Sequence, residues 1–158
     1  MLGIRTLVAS AGLAVGLMVA MPAQAQMITA NAASIAGVLR AKGLTVEVTT
    51  DKDGDPRLTT SDGGIKFEVW FYGCTAHKNC TSAQFYAGFT DTKMDALKLN
   101  DWNRSHRFGR AYIDSDGDPA VEMDIDLDDG GMPRPLFEDN LEFWATTMTA
   151  FEKFVYPE

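Results

Sequence analysis

The residues with the clearest chemical potential are carboxylates, which recur in the phrase D-x-D-G-D-P at Asp51–Pro56 and again at Asp114–Pro119. Aspartates at alternating positions resemble the start of a helix–loop–helix calcium loop. That loop needs glycine at its sixth position and glutamate at its twelfth, and neither copy has them. Aspartate and glycine accept the backbone angles of tight turns, and proline cannot extend a strand ladder. The phrase therefore predicts two hairpin turns and no metal site.

A second group of carboxylates lies on a predicted strand, Ala120–Leu127. Its residues alternate between Val121, Met123, Ile125 and Leu127 on one face and Glu122, Asp124, Asp126 and Asp128 on the other. This period of two is typical of a sheet with one buried face and one solvated face. The acidic face is either simply solvated, with Arg110 or Arg57 opposite it, or a docking surface for a basic partner.

Signals for catalysis are weak. The two histidines, His77 and His106, lie in no metal-binding spacing and beside no nucleophile motif such as G-x-S-x-G. We therefore predict that the protein is not an enzyme, and that it has neither catalytic residues nor a cofactor. The alternative is a small hydrolase or lyase that uses two carboxylates of the acidic strand, which would need a cleft where their burial differs.

Two cysteines, Cys74 and Cys80, stand close together in GCTAHKNCT. An even number of cysteines, close together in the sequence of a protein from an oxidising compartment, indicates a disulfide. The spacing is not the C-x-x-C of redox-active pairs, and the segment offers too few ligands for zinc. We predict a structural disulfide at the tip of a hairpin.

The first 25 residues have the pattern of a secretory signal peptide. Arg5 precedes an uncharged apolar run, Leu7–Ala20, and the segment ends in Ala23-Gln24-Ala25. The apolar run is shorter than the ~20 residues of a spanning helix. We predict cleavage after Ala25, one mature domain over residues 26–158, no membrane span after cleavage, and a periplasmic or secreted location. The formal charge of −8 disfavours nucleic acid as a partner.

The elements that position these residues follow from their periodicity. Helices are predicted from the cap Thr29 to Lys42, from Lys93 to Arg104 with Thr92 as cap, and from Pro135 to Tyr156. Strands are predicted at Leu44–Val48, Arg57–Thr60, Ile65–Tyr72, Ser82–Thr90, Phe108–Ile113 and Ala120–Leu127, with Met132–Pro135 as a loop. The order α-β-β-β-β-α-β-β-α indicates an α+β fold with helices packed on one face of an antiparallel sheet.

Three apolar stripes indicate which sides of these elements face the core. The last helix carries Phe137, Leu141, Trp144, Met148, Phe151 and Val155, and the second helix carries Met94, Leu97, Leu99 and Trp102. The first strand is expected to bury Leu44, Val46 and Val48.

The end of the second helix offers two interpretations. Asn100 and Asn103 share a helix face, so their amides would bond free carbonyls at the helix end or the neighbouring strand. Alternatively, Asn100, Trp102, Asn103, Arg110 and Tyr112 form a groove that binds a peptide or protein partner, since aromatic and amide groups suit such surfaces.

The chain resembles the YbjN domain family in three segments and in the acidic strand. The segments are Leu99–Asn103, Arg107–Asp114 and Asp116–Pro119. Gly43, Phe67–Tyr72, Cys74 and Ser82–Phe85 add to the likeness, which spans Ala33 to Phe154. The resemblance implies a fold similar to type III secretion chaperones, which often dimerise and bind protein segments. Family members are described as regulators of sensory transduction, stress or motility, with no assigned catalytic residues. The export signal and the disulfide depart from the cytoplasmic members.

Together these observations favour an exported, non-enzymatic binding or regulatory module that contacts a peptide, a protein or a second copy of itself. A structural envelope protein with a solubilising acidic face is a third possibility, beside the small hydrolase or lyase.

Overall fold

The computed structural model describes residues 26–157, so the predicted signal peptide lies outside the described residues. Three helices are present, α1 (Ala32–Ala41), α2 (Ala96–Ser105) and α3 (Arg134–Val155). The strands are β1 (Met27–Ile28), β2 (Glu47–Thr50), β3 (Pro56–Asp62), β4 (Ile65–Tyr72), β5 (Ser82–Gly88), β6 (Arg110–Ile113), β7 (Pro119–Asp126) and β8 (Met132–Pro133). The predicted α+β class is confirmed. In residues 26–157 no helix combines the length and apolarity needed to cross a membrane.

Six strands form one antiparallel sheet in the order β2-β3-β4-β5-β7-β6. Two further strands, β1 and β8, pair with each other. The sequence analysis predicted no strand at the position of β1, and it predicted a loop at the position of β8. Two-residue strands carry no periodicity, so the sequence gives no signal for this pair. The nine longer elements appear in the predicted order.

One face of the sheet carries the core. The predicted inward residues of the central strands are buried, namely Ile65, Phe67, Val69, Phe71, Ala83, Phe85, Ala87, Val121, Met123 and Ile125. The whole predicted stripe of α3 is buried against them. Trp144 of α3 lies 5.9 Å from Phe67 and 5.7 Å from Phe85 between ring centroids. This face is the dry face of the sheet, and α3 covers it.

Two predicted helix starts were wrong. α1 is capped by Asn31, whose Oδ1 accepts from the Ala33 amide at 2.9 Å, and not by Thr29. α2 is capped by Asp95 instead of Thr92, so Met94 precedes the helix. Both cap residues accept from a backbone amide two residues on, as short polar side chains commonly do.

Two predicted apolar positions are exposed. Leu97 of α2 is 74% exposed, because only Leu99 and Trp102 of that helix face the core. Val48 is 50% exposed, since it lies on the edge strand β2, which begins at Glu47 and not at Leu44.

The predicted disulfide is confirmed: Cys74 and Cys80 are bonded. They lie in the loop between β4 and β5, as expected for a link at a hairpin tip. The isolated bridge between Thr75 and Lys78 continues the ladder inside this loop.

Candidate functional site

The second face of the sheet is the most prominent candidate surface. Among residues 26–157, α1 and α3 pack on the dry face, and α2 lies beside the edge strand β6. No described helix crosses the other face, which we name the open face. It is defined by Arg57, Glu68, Trp70, Tyr72, Gln84, Tyr86, Arg110, Tyr112, Glu122 and Asp124, which are brought together by the strand register.

Aromatic and polar side chains alternate across the centre of the open face. The Tyr72 hydroxyl donates to Gln84 Oε1 at 3.2 Å, and Gln84 Nε2 donates to Asp124 Oδ1 at 2.8 Å. The Arg57 guanidinium lies 5.1 Å from the centroid of the Trp70 ring. Rings that offer a π face beside free carboxylate oxygens suit a cationic ligand.

Glu122 corrects one sequence prediction. The alternation of β7 places its side chain on the solvated face, and Asp124, Asp126 and Asp128 are exposed as predicted. Glu122 is only 3% exposed, because it lies opposite Tyr86 and Arg110 in the strand register. Its carboxylate forms an ion pair with the Arg110 guanidinium. Arg110 is thus the basic residue that the sequence predicted opposite the acidic strand.

We expect Arg110→Met to lower the free energy of unfolding by about 2 kcal/mol. Removing one member of a buried pair leaves the other charge uncompensated, and the mostly exposed arginine makes this pair weaker than a fully buried one. Urea denaturation measures the change. Arg104→Met is the matched control, since Arg104 pairs with Asp101 at a fully solvated site and should cost less than about 0.5 kcal/mol. Equal effects of the two variants would contradict the pairing.

The turn between β6 and β7 adjoins the open face. Asp114 Oδ1 accepts from the amides of Asp118 at 2.9 Å and Asp116 at 3.0 Å, and Oδ2 accepts from the Tyr86 hydroxyl at 3.2 Å. The amide of Asp118 is the largest cause that lowers the pKa of Asp114. Burial, and then Asp114, raise the pKa of the Tyr86 hydroxyl. Asp51 makes the same two amide bonds at the first D-x-D-G-D-P phrase. Both phrases are therefore hairpin turns, as predicted.

We expect Asp114→Asn to reduce stability at pH 7 by less than about 1 kcal/mol, since the site is partly exposed and screened. The pKa of Asp114 in the folded protein lies below 3.8, so its contribution is complete above pH 3.8 and is lost as pH falls through the lowered value. Urea denaturation of both proteins at several pH values should show the difference shrinking in acid. A difference that grows below pH 3.8 would contradict this sign.

The five predicted partner-binding residues do not form one surface. Trp102 is 3% exposed, with its ring stacked on His106, so it cannot line a groove. Asn103 is committed to the backbone of β6: its Nδ2 donates to Ala111 O at 2.9 Å and its Oδ1 accepts from Ala111 N at 2.8 Å. Asn100 is exposed on α2.

Arg110 and Tyr112 do lie on the open face. The sequence prediction missed their neighbours Trp70, Tyr72 and Tyr86, although the outward positions of the β4 and β5 alternation could have indicated them. Whether any of these residues binds a partner stays a prediction.

The carboxylates were also compared with the arrangement that a metal ion requires. Among the described residues no group of three or more His, Cys, Asp or Glu side chains is arranged to hold a metal ion. In the two acidic turns, Asp51 and Asp114 accept from backbone amides of the same turn.

A comparison with protein-family models matches residues 31–156 to YbjN, described as "Putative bacterial sensory transduction regulator". The chain belongs to the YbjN family. No curated protein and no solved structure matches it. The predicted likeness to type III secretion chaperones therefore stays a prediction. In this YbjN chain the family match covers both faces of the sheet and all three helices.

Proposed function

We propose that this YbjN chain is an exported, non-enzymatic binding module whose open face contacts a basic segment of a protein partner. The supporting observation is the six-stranded sheet face that no helix within residues 26–157 covers, where Trp70, Tyr72, Tyr86 and Tyr112 lie among carboxylates. A folded domain usually covers such a surface or uses it for contacts. The membership of the chain in a family of regulators agrees with a binding role.

The charge of the open face indicates which class of partner it would bind. Of the ten residues that define the open face, the two basic ones, Arg57 and Arg110, are already engaged by Glu68 and Glu122, whereas Asp124 at its centre is exposed. The chain as a whole has a formal charge of −8. A basic segment is attracted by this field, and its lysines or arginines can lie against the tyrosine rings. A second copy of the chain would bring like charges together, so a dimer through this face is disfavoured.

The test is a calorimetric titration with a short peptide of alternating lysine and serine. Wild-type protein should bind it, more weakly as salt rises, because exposed charges are screened. The double variant Tyr72→Ala/Asp124→Asn should bind about tenfold more weakly, since it loses one ring and one carboxylate from the open face. Both residues are exposed, so the fold should persist.

Two controls decide the outcome. Phe143→Ala removes an exposed aromatic residue from α3, away from the open face, and should bind like wild type. A peptide with glutamate in place of lysine should not bind. Equal binding of both peptides, or undiminished binding by the double variant, would refute the proposal.

Two carboxylates at the acidic strand and its turn are arranged differently from what the alternative of a hydrolase or lyase requires. A carboxyl group that donates a proton near neutral pH needs a raised pKa. The pKa of Asp114 is lowered by backbone amides, and the buried Glu122 is paired with Arg110. These two groups stabilise the sheet and its turn.

The proposed export is supported by the Cys74–Cys80 disulfide, since such bonds persist in oxidising compartments. We expect the protein recovered from the native cell to begin at Gln26 and to contain no free thiol. Intact-mass measurement of the periplasmic and cytoplasmic fractions tests this. Full-length protein with two free thiols in the cytoplasm would contradict it.

A further inference from the structure

The two edges of the six-stranded sheet differ in what covers them. At β6 the Asn103 side chain bonds both the amide and the carbonyl group of Ala111. The other edge strand is β2, and within residues 26–157 no strand pairs with its outer side. Val48 and Thr50 of β2 are exposed to solvent. An uncovered strand edge offers unpaired backbone groups on which an extended chain can add itself as a further strand.

The turn after β2 shows which backbone groups of this strand point outward. The Asp51 amide donates to Asp55 O at 2.8 Å, so Asp51 bonds towards β3. Along an antiparallel strand such residues alternate with residues whose N–H and C=O groups point the other way, so Val48 and Thr50 point theirs outward. The register agrees, because Thr50 lies opposite Pro56, which has no N–H to donate. Both residues therefore offer an amide and a carbonyl group to a further strand.

Arg40 marks where the uncovered part of this edge begins. Its guanidinium donates to Val46 O at 2.9 Å, and Val46 is buried. The same alternation points Val46 O outward, so α1 already occupies the edge at that position. A docked segment would therefore pair with the residues that follow, Glu47–Thr50.

Side chains on the two faces of β2 indicate the composition of such a segment. Val48 lies opposite the buried Leu58 and shares its face, yet it is 50% exposed. An apolar side chain beside Val48 would extend the core at this edge. Glu47 lies on the other face, is exposed and stands opposite the neutral Thr59. A lysine or arginine beside Glu47 would meet an opposite charge.

We propose that β2 binds an extended segment of a protein partner as an antiparallel strand, with an apolar residue opposite Val48 and a lysine or arginine opposite Glu47. All strand pairs within this sheet are antiparallel, and antiparallel ladders are slightly more stable per residue than parallel ones. The formal charge of −8 favours this basic partner over a second copy of the chain. The proposal uses the edge of the sheet and does not depend on binding at the open face.

The probe is the peptide acetyl-Thr-Thr-Val-Lys-Val-amide, which places its first valine opposite Val48 and its lysine opposite Glu47. NMR of the backbone amides should show binding with a dissociation constant on the order of 1 mM, because few groups pair. As the site fills, the Val48 and Thr50 amide resonances should shift and their hydrogens should exchange more slowly. Replacing the lysine by glutamate should weaken binding about fivefold, the value of one exposed ion pair.

Two methylated peptides test the pairing itself on the wild-type protein. N-methylation of the first valine removes the N–H that faces Val48 and should weaken binding by about tenfold or more. N-methylation of the lysine removes an N–H that points to solvent and should change the affinity by less than about twofold. Equal affinities of the two methylated peptides would overturn the proposal, and so would a loss caused by methylation of the lysine alone.

Val48→Pro tests the same bonds from the side of the protein. The Val48 amide takes no part in the ladder with β3, and edge strands tolerate proline at such positions, so the fold should persist while binding weakens about tenfold. Val48→Thr is the matched control, since it keeps the amide and the branched shape and should bind within about threefold of wild type. Undiminished binding by Val48→Pro would contradict the proposal. A Val48 amide that is protected without peptide and loses protection on dilution would show a second copy at this edge, which would also contradict it.

The outcome at this edge is separate from that at the open face. The variant Tyr72→Ala/Asp124→Asn should bind the valine-containing peptide as wild type does. Val48→Pro should bind the peptide of alternating lysine and serine as wild type does. Either site can therefore fail without affecting the test of the other.

Discussion

Trp102→Ala is expected to lower the free energy of unfolding by about 4 kcal/mol, the range for truncating a buried tryptophan. The Trp102 ring centroid lies 3.4 Å from that of His106, 5.1 Å from that of Phe151 and 5.2 Å from that of Phe154. These contacts join α2 to α3, so their loss leaves a cavity between the two helices. Urea denaturation followed by circular dichroism measures the change.

Leu97→Ala is the matched control on the same helix. Leu97 is 74% exposed, so its truncation should change stability by no more than about 0.5 kcal/mol. A cost below about 1 kcal/mol for Trp102→Ala would place its ring at the surface and revive the groove predicted from the sequence. Because Trp102 is buried, Trp102→Ala would destabilise the fold. A loss of partner binding in this variant would therefore not show that Trp102 contacts the partner.

Asn103→Ala is expected to cost about 2 kcal/mol. The Asn103 side-chain amide bonds the edge strand β6 as a neighbouring strand would, because it both donates to and accepts from the backbone of Ala111. Asn103 is itself exposed, so water can reach the freed groups, and the loss is the net value of two hydrogen bonds at about 1 kcal/mol each. The Ala111 amide should also exchange its hydrogen faster, which NMR detects directly.

Asn100→Ala tests whether this cost is specific. Asn100 is exposed on the same helix, and its loss should change stability by less than about 0.5 kcal/mol. Asn103→Asp keeps the acceptor and loses the donor, so it should retain slow exchange at the Ala111 amide while losing stability. Equal costs at positions 100 and 103 would show that Asn103 does not protect the sheet edge.

Periodicity predicted most of the fold. The α3 stripe from Phe137 to Val155 and the inward row of β4 both came from spacing alone, because burial repeats with the geometry of the element. The turn at Asp114–Pro119 and the link between Cys74 and Cys80 came from residue chemistry. These signals are local, so one sequence suffices to detect them.

Features that depend on distant residues were harder to predict. Glu122 is buried because the register of three strands places it between Tyr86 and Arg110, and no pattern within β7 reveals this. The sequence left open whether Asn103 bonds the neighbouring strand or lines a groove. The answer depends on how α2 lies beside β6, which the sequence of α2 does not show. The alternation of β4 and β7 indicated which side of the sheet is open, but the residues that become neighbours on that side depend on the strand order β4-β5-β7-β6, which one strand does not reveal.

The interaction surface can be tested most directly through the three tryptophan indole resonances, assigned by single Trp→Phe variants and followed while the lysine-containing peptide is added. Trp70 lies on the open face, whereas Trp102 and Trp144 are buried on the other side of the sheet. If the open face binds the basic segment, the Trp70 resonance shifts in proportion to occupancy and the other two stay in place. If peptide binding is saturated while the Trp70 resonance stays still, the partner binds elsewhere and the proposed function is wrong.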